Sequence, residues 1–242
     1  MHRYRYGQHP SQFADLWLPD APDTVPAPVA VLLHGGWWRD LHDLTLMDPL
    51  ARDLTAAGWA VWNVEYRRTG ADGGGWPQTV EDVAAALRLL ATTAAADTER
   101  LDAGRVAAVG HSAGGHLALL TAAASPVTRV VALAPVTDLA RSDREGLGEG
   151  AVAAFLGASP GEDAPRDGSP VARPETGFSQ LVVHGDADQR VPVDQSRDYV
   201  VAARAAGAPV TYEEVPGADH FAVIDPDHPA WRTARAWLLG SG

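Results

Sequence analysis

Cysteine is absent from the sequence, and so is lysine. Without thiols there are no disulfides, no thiolate nucleophile, no iron–sulfur cluster and no cysteine zinc site, so cysteine usage says nothing about redox compartment. Without lysine there is no P-loop of the G-x-x-x-x-G-K-[ST] kind, no Schiff-base chemistry and no kinase lysine. Arginine supplies every fixed side-chain cation, and 19 of them face 31 aspartates and glutamates, for a formal charge of −12. There is no basic run, so the clustered cations that displace counterions from a phosphate backbone are missing, and nucleic acid is not expected as a partner. No stretch approaches 18 uninterrupted apolar residues, and Met1 to Gly7 has no apolar core of a signal peptide. The expectation is a cytoplasmic chain without a membrane partner, a monomer or a homodimer.

What is present is ordinary globular material, 46% hydrophobic and 21% charged over 242 residues. That is enough for one sizeable core, so residues 1–242 are read as a single domain. Short apolar or β-branched runs recur at Phe13–Leu18, Val29–Leu33, Ala60–Glu65, Val106–Val109, Val130–Leu133, Leu181–Val183 and Val210–Val215. Helical spacing lies between them at Leu44–Ala57, Thr79–Thr93, Ala113–Ala124, Asp194–Ala206 and Pro229–Leu239. This alternation predicts an α/β fold with a mostly parallel twisted sheet and helices on both faces. Gly58 and Gly207 read as helix stops, Asp194 as an N-cap and Pro229 as a first-turn residue. Four prolines between Pro19 and Pro28 mark a surface connection. The irregular stretch 138–177 reads as a lid-like insertion, in which only Ala151–Leu156 offers a helical turn.

The strongest chemical signal is Gly110-His111-Ser112-Ala113-Gly114, a G-x-S-x-G pentapeptide between a predicted strand and a predicted helix. Flanking glycines permit the tight turn that lifts a serine hydroxyl toward the positive end of the next helix. Such a serine needs a base, and the base needs an orienting carboxylate. Both types follow later strands, in His184-Gly185-Asp186-Ala187-Asp188 and in Asp219-His220. The chain order Ser112, Asp188, His220 fits, with Asp186 competing for the acid role. In an open parallel sheet, groups just beyond the carboxyl ends of strands converge.

His34-Gly35-Gly36-Trp37-Trp38 directly follows the strand Val29–Leu33. Backbone amides of Gly36 and Trp37, with that of Ala113, are candidates for an oxyanion hole; the bland alternative is a glycine turn with two core tryptophans. Trp37, Trp38, Trp76 and His111 are the candidate substrate contacts. His111 and His116 lie five apart, off the i, i+4 spacing of helical metal ligands, and no metal or cofactor is expected. Gly73-Gly74-Gly75-Trp76-Pro77 reads as the entry to the helix from Thr79, and Asp225, Asp227 and His228 as a solvated loop and helix start.

These motifs resemble those of the α/β-hydrolases, and within them the esterase and kynurenine-formamidase-like group with an H-G-G-x-W loop. The resemblance spans most of the chain. It rests on His34, Gly35, Gly36 and Trp38 in that loop, Ser112 in the elbow, Asp188 in the H-G-x-x-D-x-x-V-P segment, and His220. Tyr6-Gly7 to Pro19 and Glu65-Tyr66-Arg67 resemble further segments of these enzymes. Trp37 stands where hormone-sensitive-lipase-like esterases have a third glycine. The resemblance implies a serine hydrolase acting on a small carboxylic ester, or on an aryl formamide such as N-formylkynurenine, without a cofactor. A non-catalytic ligand-binding protein on the same scaffold is the reading from another class.

Overall fold

The computed structural model describes residues 1–20, 25–96, 100–157 and 168–240. Its centre is an eight-stranded sheet. In chain order the strands are β1 (His2–Arg5), β2 (Phe13–Trp17), β3 (Ala27–Leu33), β4 (Ala60–Glu65), β5 (Leu101–His111), β6 (Arg129–Leu133), β7 (Ser179–Gly185) and β8 (Val210–Val215). Their spatial order is β1-β2-β4-β3-β5-β6-β7-β8. The pairings of β1 with β2 and of β2 with β4 are antiparallel, and all others are parallel. This is the α/β-hydrolase fold expected from the sequence.

The parallel strands are apolar without alternation because each has two covered faces. Val29, Val31 and Leu33 of β3 join one apolar layer while Ala30 and Leu32 join the other; in β4, Trp62 and Val64 lie opposite Val61. Helices fill both sides: α1 (Asp48–Ala56), α2 (Gln78–Ala96), α3 (Ala113–Thr121), α4 (Leu139–Arg144), α5 (Ala151–Leu156), α6 (Asp194–Ala205) and α7 (Pro229–Leu239). Among the described residues, no helix is long and apolar enough to cross a membrane.

Several expectations are refined. The run predicted as one helix from Leu44 splits into a 3-10 turn, Leu44–Met47, and α1. Pro49 has no amide to continue the earlier turn, and the Asp48 amide closes on the Thr45 carbonyl instead. Asp194 is the first residue of α6 rather than its cap; its carboxylate pairs with Arg197 at 2.8 Å. Gly58 and Gly207 do stop their helices, at φ 88° and 82°. His228 caps α7 by accepting from the Ala230 amide. Strand β1 carries no apolar signal and exists through its pairing with β2, while Asp138 caps an unanticipated α4 by accepting from the Arg141 amide.

Two sheet features place the chemistry. After β3 the chain moves to β4 on one side, then returns to β5 on the other, so β3 and β5 flank the point where strand order reverses. Crevices open at the carboxyl ends of strands at such a point. The register pairs Leu33 with Gly110, which sets the His34–Trp38 loop beside His111 and Ser112.

Part of the 138–177 insertion lies against that loop. Gln195 at the start of α6 accepts from the Thr137 and Asp138 amides at 2.9 and 2.8 Å and donates to Ser142 at 3.0 Å, fixing the root of α4. Phe155 of α5 stacks on Trp38 at 4.3 Å, its carbonyl accepts from the Trp76 amide at 2.6 Å, and Arg39 donates to the Glu149 carbonyl at 2.6 Å. The insertion's residues 158–167 lie outside the described residues, as do 21–24 of the proline-rich connection.

Candidate active site

Ser112 sits between β5 and α3 with φ 56° and ψ −117°, a conformation an L-residue holds only where its surroundings enforce it. Its amide donates to the Leu133 carbonyl at 2.8 Å, and its own carbonyl accepts from His116 and Val136. Glycines let the elbow close. A Cβ on Gly110 would strike the Gly114 carbonyl, one on Gly114 the Leu33 carbonyl, and one on Gly115 would come within 2.9 Å of Pro135. The two strand ends and α3 therefore pack backbone to backbone.

The loop after β3 is equally constrained. Gly36, Trp37 and Trp38 have φ of 119°, 53° and 56°. Added to Gly35, a Cβ would lie 3.1 Å from Ser112 Cβ, so this loop runs directly past the elbow. Thr69 donates to the Trp38 carbonyl at 2.7 Å and Arg39 to the Gly36 carbonyl at 3.0 Å. Among the described residues, no protein acceptor takes the amides of Gly36 or Trp37.

The loops after β7 and β8 bring Asp188 and His220 together. His220 Nδ1 donates to Asp188 Oδ2 at 2.5 Å, which leaves Nε2 as the ring's acceptor. Oδ2 also accepts from His184 Nε2 at 3.1 Å, and Oδ1 accepts from the amides of Arg190 and Val191 at 2.8 and 2.9 Å. Burial alone would push this carboxyl up; the hydrogen bonds from His184, His220 and the Val191 amide outweigh it and hold Asp188 well below the usual carboxylate range. Asp186, the competing acid, instead accepts from the Gly217 amide at 2.6 Å and braces the turn after β8.

Of the candidate substrate contacts, Trp38 and His111 are 0% and 1% exposed and present no surface to a substrate. Trp38 lies between Phe155 and the edge of His116, as core. Trp37 is buried against Gly148, while Trp76 is half-buried beside Phe155. His111 acts on the loops instead. Its Nε2 donates to the His220 carbonyl at 2.9 Å, tying the residue before Ser112 to the histidine loop. Burial first, and then His220, push its imidazole well below the usual range, so it stays neutral.

Three supporting residues have no role predicted from the sequence. Tyr66 donates to the His34 carbonyl at 2.6 Å and stacks on that ring at 4.3 Å. Glu65 meets His34 Nε2 at 3.3 Å and accepts from the Leu44 amide at 2.9 Å. His184 accepts from the Ser196 hydroxyl at 2.7 Å and donates toward Asp188. Their motifs, Y-R and H-G-x-x-D, are visible as segments of a family pattern but not as braces.

A cleft of about 350 Å³ lies beside His220, lined by Ala187, Gln189, Arg190, Asp219 and Phe221. Two further clefts open at the opposite ends of β5 to β8 and share Arg129, whose guanidinium is engaged by the carbonyls of Trp237, Leu238 and Gly240. Neither contains a nucleophile with a base. Among the described residues, no three His, Asp or Glu side chains group as metal ligands.

Residues 14–130 match the family model described as BD-FAE. The chain is 30% identical over 256 aligned residues to Esterase LipC of Mycobacterium tuberculosis, an alignment covering 93% of this chain and 61% of that protein. It thus spans about three fifths of that relative's length. A truncated carbohydrate esterase from gut microbiota superposes with a TM-score of 0.82 at 22% identity, covering 98% of this chain and 95% of the other. Thermogutta terrifontis esterase 2 phosphonylated by sarin superposes with a TM-score of 0.78 at 21% identity, covering 96% and 90%. These likenesses at low identity show the fold.

Proposed function

We propose that this chain is a serine hydrolase that cleaves small carboxylic esters through an acyl-enzyme, with Ser112 as nucleophile, His220 as base and Asp188 as the orienting carboxylate. The observation that carries the reading is the 2.5 Å contact between His220 Nδ1 and Asp188, which leaves Nε2 as acceptor in a site whose serine stands on a strained strand-to-helix turn. Nε2 takes the Ser112 proton as Oγ attacks the ester carbonyl, and Asp188 stabilises the imidazolium that forms. The amides of Trp37 and Ala113, with that of Gly36, receive the tetrahedral oxyanion; one such donor is typically worth about 3–4 kcal/mol. His220 then protonates the departing alkoxide, and water attacks the acyl-serine by the reverse proton path. Esterase LipC, the carbohydrate esterase and the sarin-modified esterase support ester over amide chemistry by analogy.

The aryl formamide reading rests on the resemblance of the H-G-G-x-W loop, whose tryptophan, Trp38, packs as core and offers an aryl group no wall. The test is mass spectrometry after a fluorophosphonate, beside kcat/KM for short aryl and alkyl esters and N-formylkynurenine. One adduct per chain, lost in Ser112→Ala together with ester turnover, is expected. A higher kcat/KM for the formamide would move the substrate class to aryl formamides. No adduct and no turnover would leave a ligand-binding protein.

A further inference from the structure

Beyond Ser112, Asp188 and His220, the rim of the site carries a cation that the proposed chemistry does not use. Arg190 is exposed in the cleft beside His220, and its guanidinium stands 5.2 Å over the ring of Phe221. Phe221 is 37% exposed, and its ring centroid is 5.5 Å from that of His220. One aromatic ring therefore separates the cation from the base. Among the described residues, no carboxylate lies within ion-pair distance of Arg190, although acids outnumber cations 31 to 19 in this chain. Other arginines of the chain do meet acids: Arg67 meets Asp82, Arg141 meets Glu145 and Asp198, and Arg197 meets Asp194 and Glu214.

Two acids of the loops around the cleft are committed to backbone. Asp219, which lines the same cleft, accepts from the amides of Phe221 and Ala222 at 2.9 Å, and Asp186 accepts from Gly217. The main chain of Arg190 is not free to drift, because its amide is bonded to the carboxylate that orients His220. Across the mouth, His42 packs edge-on to Phe221 at 6.4 Å and against Gly36 of the β3 loop. Burial, then His34, then Arg190 push the His42 imidazole below its usual range.

We propose that Arg190 and Phe221 form a carboxylate subsite at the rim, so that the chain prefers esters bearing a free carboxylate over neutral esters of similar size. The proposal rests on the ester-hydrolase reading above. A guanidinium presents paired donors that match a carboxylate, and the Phe221 face beneath it restricts the fork's orientation and lowers the entropy lost on pairing. An anion there remains within one ring of His220, close enough to belong to a substrate whose carbonyl is at Ser112.

The experiment measures kcat/KM at low salt for two matched pairs: phenyl acetate against 3-acetoxybenzoate, with the charge on the alcohol side, and 4-nitrophenyl heptanoate against mono-4-nitrophenyl adipate, with the charge on the acyl side. Wild type, Arg190→Lys and Arg190→Gln are compared, with melting curves to confirm folding. The expected result is a preference of about tenfold for the anionic member of at least one pair, carried mainly by KM and reduced by added salt. Arg190→Gln abolishes it while changing neutral esters less than about twofold, and Arg190→Lys keeps part of it. Equal rates within both pairs, or a preference that survives in Arg190→Gln, overturn the subsite while leaving the hydrolase intact. No hydrolysis of any of the four by wild type, with no fluorophosphonate adduct, overturns the hydrolase reading itself and the subsite with it.

Discussion

The two halves of the candidate site are held in place by different means. Around Ser112 the structure is made by backbone: glycines at 110, 114 and 115 bring β3, β5 and α3 into contacts that a single Cβ would break. Around Asp188 and His220 it is made by side chains, with one carboxylate gathering two imidazoles and two amides. The difference teaches where each half is vulnerable. Damage to the backbone half should appear first as lost folding, and damage to the side-chain half as lost turnover in a protein that still folds.

Asp188→Asn is the sharpest way to break the contrast. Asparagine keeps the shape but favours the wrong imidazole tautomer and does not balance the imidazolium, so kcat for ester hydrolysis should fall by about 10³–10⁴-fold with a native circular dichroism spectrum. Gly114→Ala should do the reverse. With its Cβ on the Leu33 carbonyl, α3 must shift, and urea denaturation should show a loss of about 3 kcal/mol or a failure to accumulate soluble protein. An Asp188→Asn protein that unfolds, or a Gly114→Ala protein of full stability, would dissolve the distinction.

Acid sharpens it from another side. His116, on the backbone half, is buried with Nε2 donating to the Gly168 carbonyl at 2.8 Å, and burial pushes it down to about 4. Its folded value lies below its unfolded one, so the unfolded chain binds the extra proton first. Stability present above about pH 6.5 is lost as pH falls toward 4, by about 2–3 kcal/mol from this group. His111 adds in the same direction. Unfolding free energies from urea curves should fall steeply across that range in wild type and less steeply in His116→Gln. The smallest expected effect is Tyr66→Phe, which keeps the stacked ring but removes the hydroxyl that donates to the His34 carbonyl. A loss of about 1 kcal/mol in urea, with ester turnover within a few-fold, is expected.

Legibility in the sequence followed the same division. Strands covered on both faces announce themselves by unbroken apolar runs, as in Val29–Leu33, and a glycine-flanked serine announces its turn, because backbone demands restrict which residues fit. The edge strand His2–Arg5 has no such demand; exposed residues pair there only because β2 offers a partner. Asp186 competes with Asp188 because two residues apart they share one loop, and the resemblance of the H-G-x-x-D-x-x-V-P segment is what favours Asp188. The turn that sends Asp188 Oδ1 to two amides aims Oδ2 at His220, and side-chain direction of that kind has no pattern in sequence. His111 and Tyr66 act on carbonyls, which every residue carries, so their partners leave no trace. Trp38 misled by residue type: a tryptophan beside a glycine loop suggests a substrate wall, but its place between His116 and Phe155 depends on an insertion far along the chain.

The contact between Asp188 and the amide of residue 190 has a consequence for how such a molecule can diversify. That bond uses main chain alone, so any amino acid except proline could stand at 190 and leave the acid's geometry intact. The outward side chain is thereby released from the work of holding the acid in place. Selection can trade one recognition element for another at this position by a single codon change, and a lineage can explore new substrates there without first rebuilding its chemistry.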